Sequence, residues 1–407
     1  MSEPASEPMN TGVGGWGEPA SEPSNTGAGG RGELAASAAA GAPAAAPARA
    51  RYLHGLDVLR VLASVTVVWA HTRDWFASGQ QSWWLHDATR TVLLDPLRLT
   101  SLLAAFAVSS FFVISGLVVT RAAAKESVGR FFARRATRVL PALWVVLVVL
   151  WVCAKAGLPV GVQGTGELDA GALVANMTLA NFFTTGNPGL DLVTWTLTVQ
   201  IAFYLFAGAT IPLLRRWPWL PPALGLAVVS VLLSVVNTED TPALHTTRVI
   251  ATLVPILFVG QVIALVQSGR LHPVAGIGYG AAHLLLLIRA DLTSDNTPAI
   301  PGYAQMVVWL VLLTIVGSKV DGRFLRSRWL AALAARTYAI FLVHVPVLYV
   351  TPHLLSTTAG TPVAFFVALG GTTVTAELLY RFVEAPAVRW YRRWERSRTD
   401  LRRKGSA

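Results

Sequence analysis

"LDVLRVLASVTVVWAHTRDW", residues Leu56 to Trp75, is almost long enough to cross a bilayer as a helix, yet it carries Arg60 and His71 in an apolar run. Eleven positions separate them, which on a helix leaves them about 20° apart in azimuth and about 16 Å apart along the axis. They share one face. Ionisable groups within a span turn to the bundle interior or a hydrated cavity, so this stripe is expected to line an interior path. A blander reading stands beside it: Arg60 pairs with Asp57 one turn below, and His71 anchors the helix end.

The rest of the chain agrees with a membrane setting. Its 407 residues are 53% hydrophobic and only 14% charged, with a mean hydropathy of +0.52, unlike an average soluble protein. The expected fold is all-α, a polytopic bundle of ten transmembrane helices. The spans are Leu56 to Trp75, Leu99 to Thr120, Val139 to Ala156, Thr194 to Leu214, Leu220 to Val236, Thr247 to Val266, Val274 to Ile288, Gly302 to Gly317, Trp329 to Val350 and Pro362 to Phe382. Ala170 to Phe183 is about half a span and reads as an interfacial or re-entrant piece.

Residues 1–50 are a different regime. SEPMNTGVGGWGEPA, Ser6 to Ala20, is followed by a second copy, SEPSNTGAGGRGELA, Ser21 to Ala35. This low-complexity segment lacks periodicity and apolar surface and is expected to be disordered. Residues 51–388 form the membrane domain and 389–407 a basic tail. Cys153 is the single cysteine, which excludes disulfide frameworks and Cys-based metal sites. No metal is expected. The Gly-rich "GVGGWG" and "GAGGRG" belong to the repeat rather than to a phosphate loop, and no Gly-x-Ser-x-Gly elbow occurs.

A net charge of +11 would suit a nucleic-acid partner, but the Lys and Arg residues are distributed as the positive-inside rule requires. With the N-terminus cytoplasmic, Arg121, Lys125, Arg130, Arg134, Arg135 and Arg138 fall inside, as do Arg215, Arg216, Lys319, Arg323, Arg326, Arg328 and the tail from Arg389 to Lys404. An even number of spans keeps both termini inside. A multi-pass plasma-membrane protein follows, with membrane lipids as partners, an anionic leaflet against the tail and no nucleic acid.

The same opening stretch resembles the first helix of the acyltransferase 3 family, in which an Arg, ten residues and a His form the pattern met by Arg60 and His71. "FFVISGLVVT" resembles the family's second helix, and "FFARRATRVLPALW" its basic loop entering the third, with Arg-x-x-Arg at Arg135 and Arg138. "TWTLTVQIAFYL", "RTYAIFLVHVPV" and "YRFVEAP" resemble later blocks, in family order from about residue 51 to 390. One departure stands out: Gln200 occupies the place of the family's usual Glu, keeping size and hydrogen bonding but losing charge.

The resemblance implies an integral membrane O-acyltransferase. It would move an acyl group from acyl-CoA, most simply acetyl-CoA, to a hydroxyl of a sugar-containing or natural-product acceptor. Acyl transfer to a hydroxyl needs a base and oxyanion stabilisation. The family motif makes His71 the general base, with Arg60 contacting the donor or stabilising charge. Arg135 and Arg138 would hold CoA phosphates, since guanidinium groups pair well with phosphate. Arg134 reads as a topology signal.

Trp195, Gln200 and Glu377 are candidate substrate-binding residues, although Trp195 also suits the interfacial belt and Glu377 has a possible partner in Arg336. His344 reads first as a satisfied structural histidine, and Ser115 and Gly116 as small residues permitting close packing. Glu384 is expected to pair with a basic residue at the cytoplasmic surface; Asp74 and Asp191 lie toward the outer face. The chain ends soon after the tenth span, which reads as a stand-alone enzyme without an appended esterase-like domain. Two rivals remain open: a transporter or flippase of an envelope intermediate, and a catalytically altered relative because of Gln200.

Overall fold

The computed structural model describes residues 52–78, 84–97, 103–236, 240–293, 300–355 and 361–404. The N-terminal repeat lies outside them. The compact unit beginning at Leu53 is helical, with one isolated antiparallel bridge between Gln163 and Gly189 among the described residues.

In chain order the helices are α1 Gly55–Ser78, α2 Trp84–Thr89, α3 Leu103–Ala123, α4 Val128–Lys155, α5 Ala170–Met177, α6 Trp195–Ala209, α7 Ile211–Arg216, α8 Leu220–Val235, α9 Pro242–Gln267, α10 Pro273–Leu292, α11 Tyr303–Lys319, α12 Arg328–Leu355, α13 Thr361–Leu379 and α14 Ala385–Lys404. Short π-helical turns span Arg90–Leu94 and Tyr380–Glu384. Each expected span meets a helix, and α5 takes the half-span piece. The protein is a multi-pass membrane protein by its apolar helices.

Length and composition qualify fewer helices than the ten anticipated. Among the described residues five are long and apolar enough to cross a membrane: α3, α4, α9, α10 and the Arg328–Thr351 part of α12. The shortfall has physical causes. α6, α8 and α11 are apolar but short, and Pro212 opens a separate helix just after α6 ends. α1 is diluted by Asp57, Arg60 and His71.

Two large packed clusters divide the interior, and a small third one, Ala63, Val67 and Ala107, joins α1 to α3. The larger joins the start of α1 and α3 to α6 and α8 through α11; the second joins α4, the loop after it, the start of α6, α12 and α13. α6 serves both, with Val199 and Phe203 in the first and Leu197 in the second. α1 packs on α3 and α11 of the first cluster and on α12 of the second. The face of α1 that carries His71 therefore meets α12 at the seam.

α3 and α9 share the most extensive contact between two helices among the described residues, and two glycines explain how. A Cβ on Gly116 would stand 2.0 Å from the Leu257 carbonyl oxygen, and one on Gly260 2.2 Å from that of Val113. Backbones touch there, as small residues permit between membrane helices. Two hydroxyls on α3 are satisfied in place, Ser110 donating to the Phe106 carbonyl and Thr120 to that of Gly116, both at 2.7 Å, while Ser109 meets the Tyr303 hydroxyl of α11 at 3.1 Å.

The loop from Ala156 to Thr194 folds back over one end of α4 and α12. Asp169 caps α5 by accepting from the Ala172 amide at 2.7 Å. Asn176 donates to the Ala172 and Pro188 carbonyls and accepts from the Leu190 amide. Trp144 and Trp151 on α4 donate to the Met177 and Asp169 carbonyls. Asp191 is sealed in by this arrangement: one carboxyl oxygen accepts from the Val193 amide at 3.3 Å, and the other is buried without a hydrogen-bond partner among the described residues. Burial pushes Asp191 from its ordinary 3.8 up to about 7, partly offset by the Val193 amide.

Two predictions follow from this packing. Gly116→Val should destabilise the bundle by about 1–3 kcal/mol, read as a lowered thermal midpoint in detergent, whereas Gly129→Ala, with nothing within 4 Å of its Cβ, should leave it unchanged. For Asp191 the folded state holds the proton more tightly than the unfolded chain. Stability is then greatest below the unfolded value near 4 and falls as pH rises toward about 7. Asp191→Asn should flatten that slope and leave the variant about 1–3 kcal/mol more stable at pH 8; parallel wild-type and variant profiles would count against the buried carboxyl.

Candidate active site

At the seam the rings of His71 on α1 and His344 on α12 lie 5.2 Å apart, centroid to centroid, tilted by 51°. His71 is half-buried, while His344 is fully buried at 0% exposure. The Nδ1 atom of His344 faces the carbonyls of Phe341 at 2.8 Å and Ile340 at 3.1 Å. Carbonyl oxygens only accept, so Nδ1 carries the proton and Nε2 the lone pair. That Nε2 has no hydrogen-bond partner among the described residues. Phe341 packs beside the His344 ring and edge-on to Phe111 of α3, which makes the surroundings apolar.

Arg60 turns to Asp57. Its guanidinium donates to the Asp57 carboxylate at 2.8 Å, and Asp57 is fully buried. The blander sequence reading of Arg60 is thus the geometry seen, and the pair lets α1 carry both charges into the bundle.

The basic end is more organised than a topology signal requires. Glu126, nearly buried between α3 and α4, accepts from Arg134 and from Arg135, each at 2.7 Å. The Arg135 guanidinium also donates to the Phe131 carbonyl and lies 4.0 Å over the Phe131 ring. Arg134 bridges to Glu395 on α14, which also meets Arg130 at 2.6 Å. Arg138 stays exposed. Near it, the π-helical turn Tyr380–Glu384 brings Glu384 inward rather than to the surface, with 5% exposure and one oxygen unbonded among the described residues. Burial pushes Glu384 up to about 7, and the Arg138 charge partly offsets this.

The expected substrate-binding residues are distributed. Trp195 is half-buried against the first cluster. Gln200 donates through its amide to the Tyr204 hydroxyl one turn on. Tyr338 of α12 donates to the Val139 carbonyl at 3.0 Å and lies within electrostatic reach of Tyr204, Asp191, Arg138 and Glu384. Glu377 on α13 is taken by the Arg336 fork, with Arg381 at 3.2 Å and the Tyr380 ring under the guanidinium. The anticipated Arg336 partner is therefore present. The Asp74 side chain lies outside the described residues.

Sequence reasoning missed the Tyr204 and Tyr338 hydroxyls and the role of Glu126 in fixing Arg135. An acidic residue inside an otherwise basic loop was the available signal for Glu126.

A family profile described as an acyltransferase domain matches residues 53–381. Acyltransferase MdmB of Streptomyces mycarofaciens is 26% identical over 377 residues, covering 84% of this chain and 93% of its own. Nodulation protein 10 of Rhizobium leguminosarum bv. viciae is 28% identical over 182 residues, covering 40% of this chain and 46% of its own. Peptidoglycan O-acetyltransferase OatA of Listeria monocytogenes serovar 1/2a is 22% identical over 382 residues, covering 83% of this chain and 56% of its own. The chain thus spans about half the length of two of these relatives. No solved structure matches. With the profile covering the whole helical bundle from α1 to the start of the last π-helical turn, the chain belongs to the acyltransferase 3 family of membrane-associated O-acyltransferases.

Proposed function

We propose that this protein is an integral membrane O-acyltransferase moving an acyl group from acyl-CoA to a hydroxyl of a sugar-containing or natural-product acceptor, with His71 as general base. The observation that carries the reading is the position of His71 in a chain of this family. It sits half-buried on the interior seam of the bundle, opposite a fully buried histidine. The names of two relatives, an acyltransferase and a peptidoglycan O-acetyltransferase, support the reaction class.

In the proposed step His71 takes the proton of the acceptor hydroxyl while its oxygen attacks the thioester carbonyl. The carbon–sulfur bond breaks, the ester forms, and His71 returns the proton to the thiolate, leaving free CoA. An imidazole suits both transfers because its ordinary pKa is near neutrality. Arg60, held by Asp57, sets a fixed positive charge deeper on the same helix face. Arg135 and Arg138 would take the donor's phosphates. Arg135 is pre-oriented by Glu126 and Phe131, and Arg138 is exposed for contact. Gln200 with Tyr204, Trp195 and the Glu377 pair are proposed to shape the acceptor side. In this reading α1, α3, α4, α6 and α8 through α13 cross the membrane, the shorter α6, α8 and α11 included, and both termini are cytoplasmic.

Labelled acetyl-CoA supplied to purified protein with a panel of hydroxylated glycosides tests the reaction. His71→Ala should lose transfer by about a hundredfold or more while inserting normally, and retained turnover removes the base assignment. Movement of acceptor across vesicles without labelled product would favour the transporter class. Arg135→Ala should raise the apparent KM for acetyl-CoA by about tenfold; an unchanged donor KM would remove Arg135 from the donor site.

A further inference from the structure

His344 and His283 are both fully buried with one ring nitrogen lacking a hydrogen-bond partner among the described residues, but His283 stacks on Phe258 whereas His344 faces a second imidazole. The Nδ1–H of His344 is spent on the carbonyls of Phe341 and Ile340, one turn back on its own helix. The opposite edge of an imidazole fixed in this way points off the helix that carries it. There it presents Nε2, a fully buried acceptor with no hydrogen-bond partner among the described residues. Leaving such a group unsatisfied costs about 1–3 kcal/mol, and the neighbouring Phe341 and Phe111 rings offer no hydrogen bond. Across the seam, with α1 packed along α12, lies the ring of His71, 5.2 Å away. That separation leaves room for an N–H···N bond of about 3 Å once the His71 ring turns about its own side-chain torsions, with both helices fixed.

We propose that His344 is a positioning residue for His71. Its Nε2 lone pair accepts the His71 N–H and thereby directs the other His71 nitrogen, as a lone pair, at the acceptor hydroxyl. The inference rests on the reading of His71 as general base. A neutral imidazole has two tautomers, and a fixed acceptor on one nitrogen selects between them. When His71 takes the hydroxyl proton it holds two N–H groups, one still bonded to His344, so the positive charge is stabilised inside an apolar shell. When the thiolate sulfur recovers the proton, His71 returns to the starting tautomer. The proton on His344 Nδ1 stays with its carbonyls throughout. His344 therefore acts without touching substrate.

The first readout needs no acceptor. In full-length protein in lipid bilayers, with histidine ring nitrogens labelled with ¹⁵N and acetyl-CoA added, solid-state NMR should show a correlation across an N–H···N bond between His71 and His344. It should vanish in His344→Gln, which removes the ring acceptor. Absence of the correlation in the wild-type protein overturns the proposal.

The second readout is hydrolysis or transfer of labelled acetyl-CoA, with water as the default acceptor. His344→Phe keeps an aromatic ring and removes the acceptor, and should lower kcat about ten- to a hundredfold with the KM for acetyl-CoA unchanged. His344→Gln restores an acceptor oxygen and should recover part of that loss. A wild-type kcat in His344→Phe, or equal losses in both variants, overturns positioning. Should His344→Phe fail to reach the membrane, the NMR result and the His344→Gln kinetics decide. An active His71→Ala would remove the parent reading; an inactive His71→Ala beside an unimpaired His344→Phe removes only the role of His344.

Discussion

Inside a bilayer no water is at hand to satisfy a polar group, and this chain is organised around that constraint. Its backbone answers it by being helical. Its hydroxyls answer by donating to carbonyls one turn back on the same helix, as Ser110, Thr120 and Thr351 do. Its charges answer in pairs: Asp57 with Arg60, Glu377 with Arg336. Arg248 is buried and spends its guanidinium on the Leu233, Val236 and Thr293 carbonyls, tying the ends of α8 and α10 to α9. Against so thorough a satisfaction, the exceptions carry information. Buried side-chain atoms without a hydrogen-bond partner among the described residues remain in both halves: Gln261 and His283 on α9 and α10 of the first, and Asp191, His344 and Glu384 in or beside the second.

The bundle closes from two unlike halves. α3 and α9 meet backbone to backbone through Gly116 and Gly260, which makes the first cluster a rigid half. α4, α12 and α13 build the other half with larger side chains and with the loop that carries Asp191. α1 and α6 straddle the seam between them, and they carry His71 and Gln200.

Most of the helix positions were legible in the amino-acid sequence because apolar runs of span length have few alternatives. The errors lie at charged ends. α4 starts at Val128 rather than Val139, since "GRFFARRATR" continues the helix once Glu126 and Glu395 neutralise its arginines. α9 likewise starts at Pro242, capped by Thr241. Gly116 was recognisable as a packing residue, but its partner Gly260 was not, because the pairing of α3 with α9 is tertiary. The Arg336–Glu377 pair was legible from two oppositely charged residues on consecutive spans. The tautomer of His344 was not, since it depends on which carbonyls its ring meets. Glu384 was misplaced toward the surface because a π-helical turn shifts its register, and no local residue pattern announces that turn.

An amide at position 200 fits the electrostatics around it. Gln200 bonds the Tyr204 hydroxyl, and Tyr204 lies within electrostatic reach of Tyr338, which in turn senses Asp191 and Glu384. Both of those carboxyls are pushed up to about 7 by burial, so near neutral pH the region already holds acids that resist ionising. A further carboxylate at 200 would add like charge where desolvation is unfavourable, raising its neighbours further or staying protonated itself. An amide keeps the hydrogen bond to Tyr204 without that conflict. An amide at 200 thus holds the Tyr204 hydroxyl without adding charge to a region that already contains two buried acids.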